Sequence, residues 1–527
     1  YRLQPAPRIL LVDGDAWAYS AAADSYRESL ARLGYVFHEH AVTDDGANPG
    51  RPGGPPGAET LAAYDVVIWS SALSGPAFVR GATPLSAYLA AGGRLLVAGQ
   101  DAMCVDAGID VNDAPCARNA RPHPYVRSQL YLRVRADNAF SQVVRGAAGG
   151  PLAGITMTLN GPDSLANQTA PDVLEVTDAL HARPIAAYGS GGDAAILVDR
   201  CTPHRAIARG FGLEGVDAAD VRDRVLGRLI DALQAEEPAQ GVFLRAAEPD
   251  LVRSPGFTAD YTMTVTSTGS EPERLAVAVA DAGWPTELRA PGFTAPYTGT
   301  LALQRCQSAS LGVRVSVPRD AERGQRDVAR VEVRTEDGGV RESLSLATRA
   351  PAPVLVVDGD FVADSEARYQ EALAALGIPY DTFTLGLGTG RDNLPGAGLL
   401  AQYPALVWFT GYDFRPNGTL DIAGQQLLAD YLDAGGRLLF ASEDYLRSRG
   451  AVPYAGERLF HRDFLGVDRY DDDAGRAQEG PIHGADASVF DGIDGCRLAY
   501  PGRDYSDRLH PRPEAAPAVL NRFDQPL

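Results

Sequence analysis

The sequence predicts an α/β plus all-β chain: two doubly wound parallel-sheet domains flanking an Ig-like β-sandwich. Three observations carry that expectation. The stretch from Pro7 to Asp101 occurs a second time from Pro353 to Asp444, strand-like and helix-like segments alternate inside both copies, and the segment between about Gly241 and Ala350 changes to period-two alternation. A period of more than three hundred residues, with unlike sequence between the copies, excludes a short-repeat solenoid and points to two like domains with a different one inserted. The domains are expected at 1–237, 238–350 and 351–527.

Each element has its own reason. RILLV and VLVV are short, continuously apolar and β-branched, and break at Asp13-Gly14-Asp15 and Asp358-Gly359-Asp360, as a buried parallel strand does where it meets its loop. SYRESLARLG and ARYQEALAALG place apolar residues at i, i+4 and i+7 and stop at Gly34 and Gly377, so both read as helices. DVVIWS and ALVWFT repeat the buried-strand pattern. LSAYLAAGG and LLADYLDAGG are helices closing on a glycine pair, and RLLVAG and RLLFAS are the next strands. Right-handed crossovers need a helix between parallel strands, so the alternation calls for a parallel sheet with helices on both faces. In the first copy AAILVD, RAIARGFG and the helix VRDRVLGRLIDALQ complete the sheet.

The copies stay parallel further on, in SQLYLRVRADN against RDFLGVDRYDD and DALHARPIAA against DRLHPRPEAA. By alignment with the first copy, the last strands and closing helix of the second are expected to be missing after Leu527. A sheet lacking that helix leaves apolar surface in water, so the expectation is that the gene continues or that another chain covers the face. Between the copies, YTMTVTSTG, RLAVAVADAG, GTLALQ, LGVRVSVP, ARVEVRTEDGG and ESLSLATR are short Val/Thr-rich strands separated by Gly, Pro and Asp turns at sandwich spacing. EEPAQG and RAPAP read as hinges on either side.

The 527 residues suffice for three or four domains of ~100–200 residues, each able to bury a core. A net charge of −20 argues against nucleic acid and anionic membrane surfaces, both of which are held by basic patches. All 48 basic residues are Arg, a bias from which no function follows. No run of about 18 apolar residues exists, so no membrane insertion is expected, and the start at Tyr1 carries no signal peptide, as in the interior or mature part of something larger. The five Cys include no CxxC and no zinc spacing. Cys104 and Cys116 share one loop-like stretch and are either a local disulfide of an exported protein or two unpaired thiols. Cys201, Cys306 and Cys496 fall in different domains and are left unpaired. The sequons at Asn167 and Asn417 are candidate glycosylation sites in a secreted context.

Three blocks, GGRLLVAGQD, RAIARGFGLEGV and the sandwich with TSTGSEPERLAVAVADAGW and VRVSVPRDAERGQRD, resemble a known arrangement. They are similar to the class I glutamine amidotransferase-like domains, flavodoxin-like in fold, that alternate with Ig-like modules in large exported bacterial proteins, often beside subtilisin-like peptidases. The resemblance implies a nucleophilic Cys on a tight turn after a central strand and a His-x-Glu after the last strand, the imidazole taking the thiol proton and the carboxylate orienting the ring. Here the turns read Ala98-Gly99-Gln100-Asp101 and Ala441-Ser442-Glu443-Asp444, without Cys. The family's Phe-His-Pro-Glu is similar to Phe211-Gly212-Leu213-Glu214, so the carboxylate stays and the imidazole is gone. Gln100, Gly212, Glu214 and Ser442 are thus expected to be degenerate triad positions. Cys104 and Ser442 are conceivable nucleophiles, but none of His204, His461 and His510 aligns beside them to act as base.

Carboxylates form the other constellation. Asp13, Asp15 and Asp101 in one copy, and Asp358, Asp360, Glu443 and Asp444 in the other, fall at C-terminal strand ends, where open α/β sheets gather ligands. Hard oxygen ligands of this kind suit Mg²⁺ or Ca²⁺. Equally, Asp15 and Asp360 would accept backbone hydrogen bonds and cap the next helix while the others pair with Arg. Glu214 is either a relic of the triad or a carboxylate favouring a helix N-terminus. Trp69 with Trp408, and Tyr26 with Tyr369, are core residues or a carbohydrate-stacking platform.

The expected function is a non-catalytic structural or interaction segment of a large exported protein: a surface layer, an extracellular filament or a peptidase accessory stalk. Such a segment would be extracellular or at the cell surface, with protein partners or self-assembly and no cofactor beyond the candidate Mg²⁺ or Ca²⁺. The alternatives are a metal-assisted hydrolase or amidotransferase-like enzyme using the carboxylate-lined strand ends, and a glycan- or peptide-binding module.

Overall fold

The computed structural model describes residues 7–18, 21–72, 75–103, 124–335, 341–360, 365–385, 394–411, 420–472, 481–497 and 506–527. The chain mixes helix and strand. In its first part, β1 (Ile9–Asp13), α1 (Asp24–Arg32), β2 (Phe37–Ala41), α2 (Ala58–Ala62), β3 (Val66–Ser70), α3 (Ala82–Ala90) and β4 (Arg94–Ala98) alternate. There follow β5 (Leu132–Ala136), β6 (Val143–Gly146), β7 (Thr156–Thr158), β8 (Val173–Val176), β9 (Ala182–Tyr188), β10 (Asp193–Val198), β11 (Arg205–Arg209) and α4 (Ala219–Gln234). One sheet runs β2-β1-β3-β4-β11-β10-β9-β6-β7, with β8 bridging β10 and β5.

The five strands β2, β1, β3, β4 and β11 are mutually parallel. Beyond β11 every pairing is antiparallel, so the sheet is mixed, which corrects the expectation of a parallel sheet throughout. The cause is local. Gly191 and Gly192, both at positive φ, turn β9 straight back into β10 as a hairpin, and a hairpin cannot join parallel strands.

Burial on both faces accounts for the unbroken apolar runs. Ile9, Leu11, Val66, Ile68 and Leu96 face Tyr26 and Leu30 of α1 and Val225, Leu226, Leu229, Ile230 and Leu233 of α4. Leu10, Val12, Val67, Trp69, Leu95 and Val97 face Leu61 of α2 and Leu85 and Leu89 of α3.

Next come β12 (Val242–Ala246), β13 (Asp250–Val252), β14 (Thr258–Ser267), β15 (Glu273–Asp281), β16 (Thr286–Arg289), β17 (Thr300–Leu303), β18 (Ser308–Ser316), β19 (Arg326–Thr335) and β20 (Arg341–Arg349). They form two sheets, β12-β14-β18-β16 and β13-β20-β19-β15-β17, over a common core that includes Tyr261, Met263, Val265, Leu311, Val313, Val331 and Val333. Alternation along β14 from Thr258 to Val265 puts every second side chain inside, as period-two patterning requires.

The second copy begins with β21 (Val354–Asp358), α5 (Glu366–Ala375), β22 (Tyr380–Thr384), β23 (Ala405–Gly411), α6 (Ile422–Asp433) and β24 (Arg437–Ser442). Its sheet, β22-β21-β23-β24, is parallel throughout. Two small ribbons follow, Val467–Asp471 with Arg508–Pro511 and His483–Gly484 with Val519–Leu520.

The segments expected as hinges are clamped. A disulfide joins Cys201, on the turn before β11, to Cys306, on the turn between β17 and β18, and Arg305 pairs with Glu237 at 2.9 Å beside it. At the other junction the buried Asp381 accepts from the Arg349 guanidinium, from the Ala352 N–H at 2.9 Å and from the Tyr403 hydroxyl at 2.8 Å. Arg323 adds a bond to the Gln402 carbonyl at 3.0 Å.

Candidate functional site at the strand ends

Parallel pairing brings the C-terminal ends of β1, β3, β4 and β11, with Asp13, the Gly99-Gln100 turn and Arg209, to one edge, and Glu214 of the 3-10 turn Leu213–Gly215 lies within electrostatic reach of Arg209 and Asp15. The turn after β4 is tight because Gly99 runs against the Ser71 carbonyl; a Cβ there would lie 1.4 Å from that oxygen. In the second copy the same position is Ser442. A bulge between Phe409 and Gly411, with Gly411 at φ 55, makes the room.

The expected triad positions are occupied by amides and a carboxylate. Gln100 accepts from the Ala170 N–H at 3.1 Å, and Gly212 donates to the Gln168 Oε1 at 2.9 Å. The Glu214 carboxylate is 1% exposed and receives Gln168 Nε2 at 3.0 Å and Asn167 Nδ2 at 3.4 Å. Burial pushes its pKa up to about 7. A side chain at Gly212 would run into that carboxylate, so an imidazole could stand at this position only if Glu214 moved.

Arg209 reads in the sequence only as the last residue of a strand. It is 0% exposed, and among the described residues neither Nε nor either Nη has a hydrogen-bond partner. Its guanidinium lies 4.2 Å over the Phe211 ring, and burial lowers its pKa against the opposing charge of Glu214. The available signal was an Arg closing an otherwise apolar strand, RAIAR.

The carboxylates are not gathered as their sequence positions suggest. Asp13 is buried and bonded to Arg27 at 2.9 Å, and burial outweighs that pairing to lift its pKa to about 6. Asp15 is buried beside it. Asp101 instead joins Asp137 and Asp172, with a ligand atom of each within 4.8 Å of the others, and its N–H donates to Asp172 at 3.0 Å. Burial first, then Asp137, raises Asp101 to about 7, and burial holds the fully buried Asp172 well above the usual carboxylate range. Asp137 and Asp172 lay outside the expected set because they arrive from distant loops.

In the second copy Asp358 and Asp360 group with Glu366. Asp360 accepts from the Ser365 N–H at 3.1 Å, and its own N–H donates to Asp358 at 3.1 Å. Burial and Asp360 raise Asp358 to about 6; the residue aligned with Arg27 is Gln370. Glu443 and Asp444 belong to neither group, and Asp444 precedes the short helix Tyr445–Arg449. The Ser442 hydroxyl accepts from Thr410 at 2.6 Å and from the Tyr445 N–H at 3.0 Å, so it caps backbone. His204 donates to the Gln129 carbonyl, His510 pairs with Asp471, and His461 packs edge-on against Tyr470.

Trp69 and Trp408 are fully buried, as is Tyr26, whereas Tyr369 is partly exposed and stacks on Phe409 at 4.4 Å. Asn167 turns its carboxamide inward, accepting from Gln168 as well as donating to Glu214. Cys104, Cys116 and Asn417 lie outside the described residues.

No family model matches the chain, and no curated protein does. Solved structures similar to parts of it include the PapD-like domain 7 of human CEP192, at 11% identity over 22% of this chain and 88% of that one, with a TM-score of 0.15. The CooA pilin subunit of enterotoxigenic Escherichia coli is similar at 8% identity over 21% of this chain and 97% of that one, TM-score 0.17. A mutant of the SrpA adhesin of Streptococcus sanguinis is similar at 14% identity over 27% and 80%, TM-score 0.16.

Proposed function

We propose that the chain is a non-catalytic structural segment of a large exported protein, a stiff spacer in which two α/β units are held on either side of a sandwich. The observation that carries this reading is the closure of both junctions, by Cys201–Cys306 on one side and by the buried Asp381 receiving Arg349, Ala352 and Tyr403 on the other. Flexible attachment needs neither. A disulfide between two folded units also favours an oxidising, extracellular setting.

We read both α/β units as doubly wound, glutamine amidotransferase-like domains that have lost acyl chemistry. In support, five parallel strands carry helices on both faces in the first, and Glu214 follows the last of them. Thiol chemistry at this edge needs a nucleophile held by a base. Amide hydrogen bonds and a capping hydroxyl occupy the places where those groups would stand.

Small-angle X-ray scattering tests the spacer. The native chain is expected to scatter as one extended particle, and the double variant Cys201→Ser, Cys306→Ser as a broader ensemble. A native profile that requires a wide spread of interdomain distances overturns the reading. The three carboxylates Asp101, Asp137 and Asp172 favour a second reading, a metal-assisted enzyme with a hard divalent cation. Calorimetric titration with Mg²⁺ and Ca²⁺, repeated on Asp137→Asn, decides between them.

A further inference from the structure

We propose that the guanidinium of Arg209 holds a small monovalent anion, of halide or formate size, inside the first α/β unit. Arg209 closes β11 at the strand-end edge, and the groups around it are all buried: Tyr26 of α1, Tyr188 of β9, Phe211 and Glu214. One face of the guanidinium lies on the Phe211 ring. Its N–H edges are the part that an acceptor must match.

The polar neighbours are engaged elsewhere. The Tyr26 hydroxyl accepts from the Leu213 N–H at 3.1 Å, the Tyr188 hydroxyl donates to the Asp172 carbonyl at 3.0 Å, and Glu214 Oε1 takes the amides of Gln168 and Asn167. Among the described residues nothing accepts from Nε or either Nη. Arginine does not shed its proton, a buried charge without a counter-charge costs several kcal/mol, and buried polar groups of folded proteins are almost always bonded to protein, water or an ion. Water supplies acceptors alone, whereas an anion supplies acceptors and charge together.

Enclosure and charge set the class of ligand. Buried side chains on every named side favour an ion that gives up its hydration shell readily, and the single positive charge matches a monovalent anion better than a dianion such as sulfate. Glu214 opposes the ion. Burial raises its pKa to about 7, so it carries its charge at pH 8, with Asp15 adding to the same field, whereas Tyr26 and Tyr188 are both raised above the usual phenol range and stay neutral there. The anion bears on the stability of one unit and not on the junctions, so this inference stands apart from the spacer reading.

Calorimetric scans of the full chain and of Arg209→Met, with bromide or formate replacing sulfate at fixed ionic strength, test the site. The melting temperature of the first unit in the native chain is expected to rise relative to the variant by about 3 to 6 °C for each tenfold increase of the monovalent anion past half-saturation. A response to bromide assigns a halide, and a response to formate alone assigns a carboxylate. Glu214→Gln, which removes the opposing charge, is expected to bind about tenfold more tightly than the native chain at pH 8. Crystals soaked in bromide give a readout that needs no variant, an anomalous peak expected against the Arg209 guanidinium. Native melting indifferent to both anions, an equal response in Arg209→Met, or soaked crystals in which Arg209 bonds only to water or to Glu214 overturns the proposal.

Discussion

Cys201 and Cys306 form a disulfide across 105 residues of sequence, and both hold left-handed backbone, at φ 49 and φ 60. The crosslink thus joins two positions that L-residues adopt reluctantly. Chain entropy credits a loop of this length with up to about 4 to 5 kcal/mol. Removing the pair as Cys201→Ser, Cys306→Ser is expected to lose much of that in urea denaturation. The Gly, Gly pair is expected to lose less, by about 1 kcal/mol per site, because glycine pays no Cβ penalty at positive φ. Equal stability of the two double variants would dismiss backbone strain at these turns.

Asp381 anchors the second junction through three donors, two of them side chains. Asp381→Ala leaves the buried Tyr403 hydroxyl and Ala352 N–H without their acceptor, while the Arg349 guanidinium, 31% exposed, stays paired with Asp250 at 3.5 Å, a change expected to cost about 1 to 3 kcal/mol. Asp65→Ala, which opens the exposed pair with Arg8 at 2.8 Å, is expected to cost under about 1 kcal/mol. Denaturation midpoints of the two variants at fixed pH provide the comparison.

The strand-end carboxylates set the pH dependence. Asp13, Asp101 and Glu214 have folded values of about 6, about 7 and about 7, above the usual ~4 of an unfolded carboxyl. Each takes up a proton on folding between about pH 4 and pH 7, so their burial is tolerated best at low pH and costs stability as pH rises through those values. Asp65 and Asp260, held low by Arg8 and Arg314, act oppositely and lose their contribution only as pH falls below about 4. The first α/β unit is therefore expected to melt at a higher temperature at pH 5 than at pH 8. Glu214→Gln should flatten that slope in calorimetric scans.

Arg209 is a buried cation supported, among the described residues, by the Phe211 ring and by the nearby Tyr26, Glu214 and Tyr188. A ring contact offers about 2 kcal/mol, less than the several kcal/mol needed to strip a guanidinium of water. Arg209→Met is expected to be neutral or stabilising, and to steepen the pH slope because Glu214 loses the charge that restrains it. A loss above about 2 kcal/mol would reveal an acceptor for the guanidinium in solution.

Glycan analysis of material from a glycosylating host is expected to leave Asn167 bare, since its amide nitrogen is turned to Glu214. Full occupancy there would mean that the loop opens.

Local patterning made most of the architecture readable. The apolar runs of β1, β3 and β4, the glycine stops at Gly34 and Gly377 and the period-two strands of the sandwich are consequences of which faces are buried, and burial periodicity is written in consecutive residues. The antiparallel return is likewise local, written in the Gly191-Gly192 pair, although the strand on either side carries the same apolar pattern in a parallel or an antiparallel sheet.

What the chain's own order of residues determined was the duplication, the alternation of elements and the residues, neither Cys nor His, that stand at Gly99-Gln100 and Gly212-Leu213 in the turns after β4 and β11. Only the tertiary structure decided which distant groups meet: Cys201 with Cys306, Asp381 with Arg349, Asp101 with Asp137 and Asp172, and Arg209 with Glu214. Secondary structure follows from neighbours a few positions apart, whereas these meetings depend on how strands far apart in the chain pair and on which loops that pairing brings to one edge.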